Sequence, residues 1–127
     1  MEKVHFEQAK VWLESARYTA SNSDSKDKYS VAIAMLIHAV IKANDALTLK
    51  FLNTVSKRHD DARKLFEDLI KRNLIKAEYS SYSQIIQEAI NNKAKAEYRG
   101  ISFSKNDFEQ MQRKSEKFIK MVEEILM

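Results

Sequence analysis

The sequence contains no cysteine and no proline, and its single glycine is Gly100. Lack of cysteine excludes disulfides, thiol catalysis and cysteine-ligated zinc together, and removes the usual mark of a small secreted domain. One glycine is too few for the glycine-rich loops that cradle phosphates. Hairpins need turn residues at each reversal, so this composition points away from sheets and toward helices joined by short loops. Long apolar runs are missing too. The longest uninterrupted one, Val31 to Ile37, is too short to span a bilayer. Acidic Glu2 and amphipathic spacing follow Met1 directly, which is unlike a signal peptide, so the expected compartment is the cytoplasm.

What is present fits a globular chain. Charged residues make up 31% and hydrophobic residues 44%, a balance that excludes disorder. A length of 127 residues suits one domain, 1–127, with a core that needs no staples. The net charge of +4 is compatible with a polyanionic partner, but lysine-rich helical surfaces commonly carry such a balance.

Tyr29 to Phe51 organises the chain. At about 100° per residue, Tyr29, Ala32, Ile33, Leu36, Ala39, Val40, Ala43, Leu47 and Phe51 form one wide apolar face. Val31, Ala34, Met35, Ile41 and Leu49 share the other side with His38, Lys42 and Asp45. A helix apolar nearly all round is central to its fold. Before it, Glu2 to about Ala20 carries Phe6, Ala9, Leu13 and Ala16 at helical spacing, with Trp12 as the anchor. Ser21–Lys28 is a loop in which Asp24 or Ser25 can cap the central helix.

After the central helix, 53–61 is a polar connection, and Asp60 or Asp61 caps a shorter helix bearing Ala62, Leu65, Phe66, Leu69 and Ile70. Asn73 suits a left-handed C-cap. A loop is expected from 74 to 81, then a helix from about Ser83 to Arg99 ended by Gly100. Ser104 and Asp107 have capping-box spacing ahead of a last helix with Phe108, Met111, Ser115, Phe118 and Val122 on one stripe. The expected fold is all-α: an up-and-down bundle of four long helices plus one shorter helix.

Candidate chemistry is sparse. Carboxylate bundles hold di-metal sites with two Glu-x-x-His motifs, and this chain has one such spacing, Glu2 with His5, so no metal is expected. No cofactor is expected either. His38, Lys42 and Asp45 share one side of the central helix, either as ordinary satisfied polar groups or as a seam lining a cleft or interface. Arg58, His59 and Arg63 flank a helix N-terminus and could hold a phosphate, although a solvated loop explains them as well. Lys93, Lys95, Tyr98 and Arg99 gather near the end of the fourth helix, where the helix dipole already favours cations and tyrosine could stack a base.

Four features together give the layout a resemblance to the HEPN family. They are the first helix with Trp12, the apolar second helix ending ANDALTLKF, the loop histidine of SKRHDDARKLFEDL, and AEYRG leading into FEQMQRKSEKFIKMVEEIL. The resemblance implies a helical bundle linked to nucleotides or RNA. Many HEPN proteins are encoded beside a minimal nucleotidyltransferase, and a large subset are dimeric ribonuclease toxins of toxin–antitoxin pairs. Those toxins carry an arginine followed four to six residues later by histidine. No such spacing occurs here, since Arg58 and His59 are adjacent and Asn91–Gly100 has no histidine. The expectation is therefore a non-catalytic, homodimeric module that binds a nucleotide, RNA or a nucleotidyltransferase partner. The alternatives are a divergent endoribonuclease and a domain that packs a partner's helix.

Overall fold

A computed structural model describes the backbone of residues 1–98 and 100–127, and the side chains of all of these except Glu97 and Tyr98. Its elements are α1 (Glu2–Asn22), α2 (Lys28–Leu52), α3 (Asp61–Lys71), a 3₁₀ turn (Ala77–Tyr82), α4 (Ser83–Tyr98) and α5 (Lys105–Leu126). The fold is all-α, with four long helices and one shorter one, and no strand occurs among the described residues.

The centre is α2, which packs on α1, α3, α4 and α5. Its predicted apolar face is buried throughout from Ala32 to Leu47. By length and composition α2 would be apolar enough to cross a membrane, contrary to what the short uninterrupted run suggests, but most of that stretch is covered by the other helices. Helix-on-helix burial accounts for its hydropathy. The helix ends at Asn53, whose left-handed backbone (φ 54°) lets its N–H and that of Thr54 satisfy the carbonyls of Leu49 and Thr48.

Small residues let α1 lie close along α2, with Ala9 and Ala16 fully buried. Beyond α2, α1 packs on α5, where Arg17 pairs with Glu116 at 3.0 Å. The remaining helices close the core from the other side. Phe66 of α3 and Phe118 of α5 are both fully buried, with ring centroids 5.9 Å apart. Each contributes about 1.5–3 kcal/mol by burial alone. Ser115, on the same stripe, is fully buried as its small size permits. Phe103 N–H donates to Ser30 Oγ at 2.9 Å and so fastens the segment before α5 to the start of α2.

The caps follow the sequence in part. Ser104 and Asp107 form a reciprocal capping box, and Asn73 (φ 56°) and Gly100 (φ 61°) take left-handed backbone. Asp60 precedes α3 but makes no side-chain cap, because its own backbone is already helical. Asp27, rather than Asp24 or Ser25, precedes α2, again without a side-chain cap. Ser23 and Ser25 accept from the N–H two residues on, holding that loop in successive turns. The expected loop at 74–81 holds most of the 3₁₀ turn, which ends at Tyr82 and packs Tyr79 and Tyr82 edge to face at 5.9 Å.

Candidate functional site

Three rings from three segments meet on one side of α2. Trp12 of α1 stacks on His38 with centroids 4.8 Å apart and planes 23° apart. His59 also meets His38, edge-on at 6.0 Å and 84°. His38 is exposed, whereas His59 and Trp12 are half-buried. Lys42, one turn along from His38, is also half-buried. With Trp12 it lines a groove of about 770 Å³ that runs along the outer side of α1 past Val4, Gln8 and Val11.

The residues that bring His59 here are polar residues of α2 itself. Asp45 is only 6% exposed, and its Oδ1 accepts from both the N–H (3.2 Å) and the hydroxyl (2.9 Å) of Ser56. Asn44, fully buried, donates from Nδ2 to the carbonyl of Ala62 at 3.0 Å. Ser56 and Ala62 bracket His59, so both ends of its segment are tied to adjacent residues of the helix that carries His38. A carboxylate accepting two bonds from one loop residue is a strong tether, since bonds to charged groups exceed neutral ones.

The candidates read from the sequence fall into three places. His38, Lys42 and His59 converge, although the first two and the last belong to separate groups in the sequence. Asp45 lies on the same helix but is turned inward to the loop. Arg58 is exposed beside His59. Arg63 is turned away, donating to Gln87 Oε1 of α4 at 3.3 Å and pairing with Glu67 at 3.5 Å, so it braces α3 against α4.

Lys93 and Lys95 sit two residues apart on α4 and project in different directions. Lys95 lines a separate cleft of about 310 Å³ between α4 and α5, with Glu88, Asn92, Phe103 and Asp107 among its walls. Arg99 and the side chain of Tyr98 lie outside the described residues. No group of three or more histidine, aspartate or glutamate residues placed to hold a metal ion occurs among the described residues. Sequence reasoning assigned no site role to Trp12, Asn44 or Ser56. Asn44 did leave a signal, as a carboxamide within an otherwise apolar helix, where a buried polar group needs a partner.

The sequence model of the HEPN domain matches residues 3–125, nearly the whole chain. The chain belongs to the HEPN family. No curated protein and no solved structure matches it. HEPN domains are modules related to nucleotides and RNA, which makes an aromatic and cationic groove the part of this bundle to weigh first. In this HEPN chain that groove is lined by residues of α1 and by Lys42 of α2.

Proposed function

We propose that this chain is a non-catalytic, homodimeric HEPN module that binds a nucleotide or RNA, or a nucleotidyltransferase partner carrying one, at the groove beside Trp12, His38 and Lys42. The observation that carries the reading is the meeting of Trp12, His38 and His59 next to Lys42. An aromatic side chain offers a base its face regardless of sequence, and stacking is worth about 1–3 kcal/mol per base. Lys42 supplies a cation for a phosphate along the same groove, and Lys57 and Arg58 add positive charge on the exposed loop.

The lone tryptophan makes the test direct, because Trp12 is the only indole in the chain. Titration with nucleotides and short RNAs at low ionic strength should change its fluorescence, and the affinity should fall as salt is raised. No fluorescence change and no heat of binding at low salt rejects the ligand. Co-purification with a minimal nucleotidyltransferase tests the protein arm, and light scattering tests the dimer.

One observation favours a second reading, a divergent endoribonuclease. Two imidazoles 6.0 Å apart could act as base and acid. One would take the RNA 2′-hydroxyl proton as the new phosphorus–oxygen bond forms, and the other would protonate the departing 5′-oxygen. The toxin motif is absent, so the expected result with RNA in chelator is no cleavage. Cleavage lost in both His38→Ala and His59→Ala would establish the enzyme instead.

A further inference from the structure

The charges of α5 are sorted by side. Glu109, Glu116 and Glu123 recur every seven residues and so share one flank of the helix. The last two face α1, where Arg17 pairs with Glu116 at 3.0 Å and Lys10 lines one hollow with Glu123. The outer line of α5 is different. Arg113, Lys117 and Lys120 are all exposed along it, spaced so that each follows the last by one helical turn. None of the three forms an ion pair among the described residues. Lys117 is instead held 5.1 Å over the ring of Tyr82.

Beside this cationic line a furrow runs between α4 and α5. Lys114 crosses it to reach both carboxylate oxygens of Glu88, at 2.6 and 2.8 Å. Hollows of about 310 Å³ and 350 Å³ open on the two sides of that pair. Asn92, Lys95 and Gln110 line the first, and Ser81, Gln84 and Lys117 the second. The carboxylates within the furrow are already engaged, Glu88 by Lys114 and Asp107 by the N–H of Ser104 at 2.9 Å. Cations and carboxamides are what it leaves for a ligand.

That pairing of groups selects a chemistry. A row of cations suits a chain of regularly spaced phosphates, each of which displaces condensed counterions. A carboxamide both donates and accepts, as a ribose 2′-hydroxyl does, and contacts to that hydroxyl separate RNA from DNA. The two rings lining the furrow, Phe103 and Tyr82, are half-buried, so it offers contacts to the backbone rather than stacking of bases. Gln110 and Lys120 stand about 15 Å apart along α5 at about 1.5 Å per residue, a span that takes several nucleotides.

We infer that the α4–α5 furrow and the Arg113, Lys117 and Lys120 line hold the sugar–phosphate backbone of a single RNA strand, whatever its sequence. This names RNA, rather than a free nucleotide, as the ligand class and rests on the reading proposed above, in which the Trp12 groove takes a base.

Fluorescence anisotropy with a labelled, unstructured RNA tests it. Replacing Arg113, Lys117 and Lys120 together by Gln should weaken binding at least tenfold at low salt, equally for strands of different sequence. The slope of log affinity against log salt should fall by about two, as expected for three contacts to a single strand. Replacing Lys26, Lys64 and Lys71 by Gln removes the same charge from α3 and the loop before α2, and should leave that slope unchanged. An equal loss in both triple variants would reveal an effect of net charge alone and overturn the inference. So would unchanged RNA affinity in the α5 variant while Trp12 still reports nucleotide, an outcome that spares the groove. Weakened RNA binding in that variant, with Trp12 fluorescence silent to every ligand, would uphold the furrow and reject the groove. A DNA strand of the same sequence bound as tightly would overturn the assignment to RNA. Loss of a co-purifying nucleotidyltransferase with RNA binding intact would make this face a protein contact and overturn it too.

Discussion

Polar residues one turn apart on α2 meet opposite fates. His38 and Lys42 remain accessible beside a groove, whereas Asn44, Asp45 and Thr48 are sealed from solvent. The helix does not change between them. What changes is the cover, because the 53–60 segment folds back over the second group and leaves the first open. The buried group is held by hydrogen bonds to that segment and to α3, and the open group receives the product of that anchoring in the form of His59. Polar residues on one apolar helix thus divide into those that anchor the neighbouring segment and those that stay accessible beside the groove.

That division can be broken from either side. The largest effect belongs below the anchored half, where Phe66→Ala removes a fully buried ring from contact with Phe118. A loss of about 3–5 kcal/mol is expected, measured by urea denaturation. Asp45→Ala leaves the Ser56 N–H and hydroxyl without their acceptor and should cost about 1–3 kcal/mol. It should also abolish the tryptophan response to ligand, because His59 loses its tether. A double-mutant cycle with Ser56→Ala would expose the coupling, and additive effects would refute the tether.

Asn44→Ala should cost about 1 kcal/mol through the lost bond to Ala62. The smallest stability effect is expected on the open half, where His38→Ala should change unfolding by no more than about 1 kcal/mol, the scale of an aromatic contact. Ligand affinity should nevertheless drop about tenfold. If His38→Ala destabilises as much as Asp45→Ala, the contrast between the two groups is wrong.

The fold was largely legible because its signals are local. Helical spacing marked every long element, and Asn73, Gly100 and the Ser104–Asp107 pair marked three ends. The 3₁₀ turn at Ala77–Tyr82 was not, since its residues carry no apolar period and its order comes from the two tyrosines packing together. The site was legible in its parts and not in its assembly. His38 and His59 both stood out, but their meeting depends on the bonds of Asp45 to Ser56 and of Asn44 to Ala62, which spacing does not show. Nothing in the spacing of Asp45 distinguishes a loop anchor from a seam residue. Trp12 was read as an anchor on the bundle, and its partly buried packing against the core agrees, yet its ring also floors the groove.

The bond from Phe103 to Ser30 has a consequence for how the chain reaches this state. It joins residues 73 apart in sequence, while α1 and α2 pair across a short loop. Closing the longer loop costs more chain entropy, and that entropy is lost before the contact returns any stabilisation. The α1–α2 hairpin, with Trp12 against His38, is therefore expected to form early, and the docking of α5 by its Ser30 latch late. Substitutions at Ser30 would then chiefly speed unfolding, while those between α1 and α2 would slow folding.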